Sequence, residues 1–507
     1  MKKLFKFLFI SLILLTLILS TLVYIGNVPL PQVSETPLTE KEIKKSSQFF
    51  PKEKWGIHHV FLEGTDFERG QQYGYWTKDF LFKQESALLK KINQVIPYSA
   101  LRYGLFFFSM GWFYGLDQYY EKNWQEEMYG VSLYGSKVNL YFATPYTRQL
   151  AYHGIHDMGQ MMIDHGLVLG ACTQIAMPVD DGWLIGRNFD FEAGPVFDLD
   201  KVLKWVFPEK GQAFVSIIFS GMVGVISGIN ESGVYIAMNA AGSDDFARLG
   251  TPATLVLLKA LQNASSAKTA VEILQETQSL ITDIFVVVDG GPEVYVVEKT
   301  PERSEVLSYK KATVITNHLQ HPNWSEDKTN QNRKANNTTL ARQKRGESLL
   351  GQLQENPTPQ EMVDLLRDKV IVEGRPVFSH RSSIDAMIAS HSLVYDSAKS
   401  QLYVSQGPSL SQPYFGYDLK ESFEQKRPVP IGEIPADPDT LGINFYKLKD
   451  HLNQIEKSRK LAQAKDCDKA DSILKSIDHE PFNNHYQLSW ARAEISLCRG
   501  QTPKAHE

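Results

Sequence analysis

Cysteine is scarce. The 507 residues hold only Cys172, Cys467 and Cys498, which excludes a disulfide-framed scaffold and a multi-cysteine metal knuckle. The histidine pairs His153 with His156 and His318 with His321 have no cysteine or carboxylate partner at zinc-like spacing, and no phosphate-cradling glycine loop is present. Neither a metal nor a cofactor is expected. A basic stripe is also missing: Lys and Arg number 53 against 58 Asp and Glu, a formal charge of -5. Nucleic acid is therefore not an expected partner.

Charge is absent altogether from Phe7 to Ile25, behind Lys2, Lys3 and Lys6. As a helix this run would reach about 28 Å, close to the thickness of bilayer hydrocarbon. A cleavable signal has a shorter apolar core and a small-residue cleavage site, and no such site precedes Pro29. Residues 1–29 are thus expected to form an uncleaved transmembrane anchor, a cleaved signal being the alternative. The lysines would stay cytoplasmic, and the rest of the chain would be periplasmic or extracellular, or secreted if the signal is cut. An export signal makes the odd cysteine count informative. Cys467 and Cys498 flank what reads as a helical hairpin and are expected to pair, leaving Cys172 as the free thiol.

Residues 30–54 read as a polar, proline-bearing linker and 55–171 as a mostly helical segment, a pro-region or small chain. Within it Tyr103–Leu116 carries no charge but is too short to span a bilayer, and reads as core. From 172 to 426 strands come in blocks, then helices, then strands again, which predicts an α+β catalytic domain of two antiparallel sheets between helical layers. A proline-rich linker over 427–443 leads to a charged helical tail, 444–507. Its stretch Asp466–Gly500 looks like one tetratricopeptide unit. A single unit cannot bury its own face, so docking on the main domain or a protein contact is expected.

Cys172 begins a strand, Cys172–Met177, that turns at Asp180, Asp181 and Gly182 into a second, Trp183–Phe191. With Asp181 and Gly182 as central turn residues, Cys172 lies opposite Phe191 and shares its face with Arg187. Asp190 needs a bulge or the strand end to join them. A thiol, a guanidinium and a carboxylate then meet without an imidazole, so the base would be the α-amine of Cys172 itself. An interior residue has no free amine. The bond between Ala171 and Cys172 must first be cut, by attack of the same thiol on the Ala171 carbonyl, with Asp190 orienting the new ammonium and Arg187 favouring the thiolate.

The strings Ala171-Cys172-Thr173-Gln174-Ile175-Ala176 and Gly186-Arg187-Asn188-Phe189-Asp190 resemble the penicillin acyltransferase-like cysteine hydrolases, whose plan acid ceramidase and choloylglycine hydrolases share. Leu62–Gly70 is similar to the opening motif of these proteins and of the phospholipase B-like group. Gly228–Gly233 with Asn239 resembles the segment whose asparagine helps form the oxyanion hole, and Thr316-Asn317-His318 the segment that supplies a second active-site asparagine. Thr339–Arg342 resembles a segment carrying a further arginine, for which Arg333 is the alternative to Arg342. The resemblance spans about residues 56 to 410. It implies a four-layer αββα sandwich of the N-terminal-nucleophile (Ntn) hydrolase type and an autoproteolytic enzyme that cleaves or transfers the acyl group of an N-acyl, lipid-like small molecule through a thioester on Cys172. A phospholipase B-like lipid deacylase and a catalytically silent membrane-tethered binding protein are the alternatives. Loss of Cys172, Asp190 or Asn317 would mark the silent case, and all three are present.

Overall fold

The computed structural model describes residues 9, 13, 16–24, 26–96, 98–136, 143–163, 170–191, 196–371, 380–438, 443–477 and 486–501. Among the described residues sixteen strands run in chain order: Ser47–Phe50 (β1), His58–Gly64 (β2), Gly170–Val179 (β3), Gly182–Phe191 (β4), Val202–Pro208 (β5), Phe214–Ile218 (β6), Ser227–Asn230 (β7), Tyr235–Ala240 (β8), Asp283–Val288 (β9), Val294–Lys299 (β10), Ser304–Tyr309 (β11), Thr313–Ile315 (β12), Ala389–Asp396 (β13), Gln401–Ser405 (β14), Tyr414–Asp418 (β15) and Pro430–Ile434 (β16). They build a nine-stranded sheet, β1-β2-β5-β6-β7-β8-β9-β10-β11, and a seven-stranded sheet, β12-β3-β4-β13-β14-β15-β16. Every pairing is antiparallel except β2 with β5.

Alternation along each strand sends one set of side chains between the sheets and the other toward helices. Trp183, Ile185 and Leu393 of the small sheet meet Phe61, Trp205 and Val215 of the large one in an inter-sheet core. On its other face the large sheet packs against helices Asp66–Val95, Lys122–Ser132, Ala253–Asn263 and Ala267–Glu276. The small sheet is covered by helix Pro359–Leu366 through Met362, Val363 and Leu366. The order of layers is therefore helices, sheet, sheet, helices.

The part that precedes Cys172 is woven into this sandwich. Strand β1 falls where the sequence reads as a linker, and β2 runs parallel to β5 over seven residue pairs, His58↔Val202 to Gly64↔Pro208. Directly after β2, helix 66–95 starts on a capping box made by Thr65 and Glu68. It crosses helix 122–132 so closely that a Cβ on Gly70 would sit 2.0 Å from the Glu127 carbonyl oxygen, and one on Gly130 2.4 Å from that of Phe67. Arg69 is buried at this crossing, 3.2 Å from Glu127 and paired with Asp66. The motif Leu62–Gly70 thus builds a helix crossing.

Two expectations are corrected. Among the described residues no helix is long and apolar enough to cross a membrane. The transmembrane anchor, the membrane contact through it and the membrane-anchored placement are accordingly not supported. Of the run Phe7–Ile25, residues 7, 8, 10–12, 14, 15 and 25 lie outside the described residues. Its distal end docks on the protein: a Cβ on Gly26 would meet the Met110 side chain at 2.6 Å, and the Val28 N–H donates to Thr147 Oγ1 at 3.1 Å. The apolar stretch Tyr103–Leu116 is core only in part: Met110 and Leu116 are buried and Phe113 packs against the core, whereas helix Ser99–Trp112 buries no other residue and leaves Tyr103 and Phe108 45% and 59% exposed.

Beyond β16, which lies inside the stretch read as a linker, helices Ile443–Gln463, Cys467–Ile477 and Tyr486–Cys498 pack on each other through Ile455, Leu474, Leu488 and Ile495. Three helices bury the face that one helical hairpin could not. Cys467 is bonded to Cys498 across a separation of 31 residues. A loop of that length is worth about 3–4 kcal/mol in the chain-entropy account. Thiol titration of the unfolded, unreduced protein is expected to count one cysteine. Replacing both tail cysteines by serine is expected to lower the tail's unfolding midpoint in urea, read by the quench of Trp490.

Candidate active site

Cys172 is the free cysteine, 2% exposed. It sits in β3, between β4 and β12. The hairpin register differs by two residues from the one expected: Val179 pairs with Gly182 and Cys172 with Phe189. The turn residues are Asp180 and Asp181, and Gly182 is the first residue of β4. Glycine stands there because a Cβ would fall 2.6 Å from Ser397 Oγ, the group that accepts the Trp183 N–H at 2.8 Å. A shift of two preserves faces, so Arg187, opposite Gln174, still shares the face of Cys172.

Around the thiol the large sheet meets the small one. The end of β8 supplies the Met238 carbonyl, which accepts from Arg187 Nη2, and the Ala240 N–H, which points at the sulfur. Arg187 also lies over the Phe189 ring, 5.4 Å from its centroid. Burial pushes the Cys172 thiol above its ordinary pKa, and the Asp190 charge adds to this. Arg187, Arg342 and the Ala240 N–H pull the other way.

The backbone of Cys172 is held as closely as its side chain. Its N–H donates to Asn317 Oδ1 at 2.7 Å. Arg342, on helix Thr339–Leu350, donates through Nη2 to the same Asn317 oxygen at 2.8 Å and through Nη1 to Thr173 Oγ1 at 2.9 Å and to the Cys172 carbonyl. Asn317 Nδ2 donates in turn to the Ala240 carbonyl at 2.8 Å. Of the two arginines considered, Arg342 therefore reaches the cysteine, whereas Arg333 packs against Gly242. Thr339, three residues before Arg342, accepts the Asn317 N–H at 2.9 Å and contacts His318 Nδ1 at 2.8 Å. His318 is held neutral, burial foremost and the charges of Lys334 and Arg342 next lowering its pKa to about 4.

Asn239 is near but engaged. Its Nδ2 donates to the carbonyls of Ile315 and Thr316 at 3.2 and 2.9 Å, and its Oδ1 accepts from Gln174 at 2.8 Å. In this arrangement it ties β8 to the end of β12, with both amide hydrogens spent. The Ala240 N–H is the group the sequence could not flag, because a backbone donor leaves no mark in residue type.

Asp190 faces away from Arg187, on the side of Asn188, and pairs across the hairpin with Ala171. Asn188 fixes that face by donating to the carbonyls of Leu366 and Ile384 at 3.0 and 3.1 Å. The bulge expected in β4 lies instead in its partner β13, between Ala389 and His391. Asp190 is 1% exposed, and neither of its oxygens has a hydrogen-bond partner among the described residues. Burial raises its pKa to about 7; Asp385 reinforces this, while Arg342, Arg381 and Arg187 oppose it. A carboxyl without a partner in so dry a place is costly. Among the described residues no group of His, Cys, Asp or Glu is arranged to hold a metal.

Residues 178–407 match the family model "Acyl-coenzyme A:6-aminopenicillanic acid acyl-transferase". No curated protein sequence matches the chain. Solved structures similar to it include a Caenorhabditis elegans N-acylethanolamine-hydrolyzing acid amidase ortholog, 15% identical, covering 45% of this chain and 93% of its own, with a TM-score of 0.34. The conjugated bile acid hydrolase of Clostridium perfringens, in a mutant form, is 15% identical over 49% of this chain and 93% of its own, TM-score 0.36. Penicillin V acylase from Agrobacterium tumefaciens is 16% identical over 49% and 86%, TM-score 0.35.

Proposed function

We propose, from the match of residues 178–407 to the acyl-coenzyme A:6-aminopenicillanic acid acyl-transferase family model, that the chain is a self-cleaving cysteine amidohydrolase or acyltransferase that works through a thioester on Cys172. The observation that carries this reading is the unpartnered Asp190 carboxyl, set opposite Ala171 at the one bond whose cleavage creates a cation beside it. Before cleavage the Cys172 nitrogen is an amide. Its sulfur attacks the Ala171 carbonyl, the carbon–nitrogen bond breaks as the nitrogen takes up a proton, and water hydrolyses the resulting thioester. The products are a carboxylate at Ala171 and a free α-amine and thiol at Cys172.

The amine, with a pKa near 7.7–8.0 when free, then takes the thiol proton, and the thiolate attacks the carbonyl of an N-acyl substrate. The departing amine receives that proton. Water or an acceptor amine ends the cycle. Arg187 favours the thiolate, Asp190 orients the ammonium, and Asn317 with Arg342 holds the nucleophile's backbone still while bonds change around it.

N-terminal sequencing and intact mass of the purified protein test the reading. Wild type is expected to yield two fragments, the second beginning at Cys172, and Cys172→Ala one uncut chain. An uncut wild type that hydrolyses amides refutes the amine as base. The fragments are expected to co-elute on gel filtration and to part only in denaturant, because β1 and β2 remain strands of the large sheet and Val60, Leu62, Trp124 and Met128 stay in its core.

A further inference from the structure

Lys369 follows helix 359–366 and lies between two carboxylates. Its Nζ is 3.2 Å from Asp385 Oδ2 and 2.8 Å from Asp437 Oδ2, and the three side chains are 9%, 2% and 8% exposed. Asp385 belongs to the stretch that folds over the Asp190 face of β4. The Ile384 carbonyl accepts from Asn188 there, and Ala389 pairs with Asp190. The Met387 N–H donates to Asp385 Oδ1 at 2.8 Å, and Met387 itself takes a left-handed backbone, φ +56. That conformation is unfavourable for a residue with a side chain, and here it turns the chain back so that its N–H reaches Asp385. At the far end Asp437 comes from the stretch between β16 and the tail, secured by its N–H donating to the Ser411 carbonyl at 2.9 Å. The family match ends at residue 407, so Asp437 lies outside the matched part.

We infer that Asp437 and Lys369 are positioning residues for the reaction proposed above, acting through Asp385 on the Asp190 carboxyl, so that the stretch leading into the tail is part of the catalytic apparatus. This rests on the proposed self-cleavage. The charges facing Asp190 are Arg342 from helix 339–350, Arg381 and Asp385 from the stretch before β13, Arg187 from its own strand and the Cys172 thiol from β3. Asp385 is the negative member of this set. Lys369 stands between two carboxylates, so the group carries one net negative charge and disfavours the ionised form of Asp190. Without the Asp437 charge Lys369 and Asp385 balance each other. Asp190 then loses its proton more readily.

Self-cleavage is the reaction to measure, since its substrate is the chain itself. Full-length protein made by cell-free synthesis is chased at pH values from 5 to 8.5, and the cut fraction is read on gels. Asp437→Asn is expected to move the midpoint of the pH–rate profile acidward by about half a unit, roughly a threefold change in rate on the limb. Asp385→Asn should move it further the same way, and Asp437→Glu should restore the wild-type midpoint. A merely structural role would lower the plateau and the melting temperature and leave the midpoint in place. Coincident midpoints for wild type, Asp437→Asn and Asp385→Asn overturn the inference. A wild type that never cuts instead refutes the proposed function, before the variants are compared.

Discussion

An Asp190→Asn chain is expected to remain uncut at Ala171, to turn over no amide, and yet to be harder to unfold at pH 8 than a chain with Asp190 in place. The comparison belongs in the Cys172→Ala background, where both chains are uncut. The sign follows from the buried, unpartnered carboxyl. Its pKa is raised on folding from 3.8 to about 7, so the folded chain binds this proton more tightly than the unfolded chain. Below the unfolded value both states are protonated and nothing is lost. Between that value and about 7 the unfolded state gains by ionising, and the folded state falls behind by an amount that stays constant at higher pH. Asparagine keeps the shape and removes the proton, so the penalty disappears. The gap between the two urea midpoints should open from pH 4 to pH 7 and close at pH 4. Equal stabilities at pH 8, or a fully active Asp190→Asn enzyme, would remove Asp190 from the role assigned to it.

On the proposed mechanism the same balance would explain how a chain tolerates so costly a residue. The cost would exist only while the Ala171–Cys172 bond is intact: cleavage would supply an ammonium, the carboxylate would gain a partner, and stability would return as the nucleophile is completed. Cys172, whose thiol burial pushes above its ordinary pKa, would in the same way be a weak nucleophile until its own amine is free. One bond would then separate a quiet precursor from an active enzyme.

Much of this centre was legible in the residues. The alternation of β3 and β4 placed Arg187 on the face of Cys172 whatever the turn, because an even shift of register preserves faces. The turn itself was not legible, since Gly182 answers to the close approach of Ser397, a contact more than two hundred positions away. Asn239 shows a second limit. Residue type marks an amide donor, but only the tertiary arrangement tells that both its hydrogens go to the end of β12 and the residue after it. The run Phe7–Ile25 and the helix 99–112 mark a third. Both are apolar enough to suggest a bilayer or a core, and the docking of Gly26 against Met110 depends on shape, which composition does not encode. The strands β1 and β16 were hidden in polar, proline-bearing stretches because each lies at a sheet edge, where proline and charge are tolerated.

Asn317→Ala is expected to slow self-cleavage by about 10²–10³-fold, with a smaller loss of stability. Asn317 is the hub of the site: its oxygen accepts from the Cys172 N–H and from Arg342 Nη2, and its nitrogen donates to the Ala240 carbonyl. Alanine leaves a buried N–H, a guanidinium arm and a carbonyl unpaired, each costing about 1–3 kcal/mol before relaxation. Two of these groups bear on the reaction directly. The Cys172 nitrogen must leave the Ala171 carbonyl, and Ala240, whose N–H points at the sulfur, is anchored by its carbonyl to Asn317. The effect should exceed what a loosened fold predicts. Rates measured well below the melting temperature, with the folded fraction fixed by circular dichroism, separate the two. Arg342 donates to the Asn317 oxygen and to the Cys172 carbonyl, so combining Arg342→Met with Asn317→Ala should impair the chain far less than the product of the single losses. Additive losses would mean that Asn317 and Arg342 act apart, and an Asn317→Ala chain that cuts at the wild-type rate would reduce the hub to a support for the strand ends.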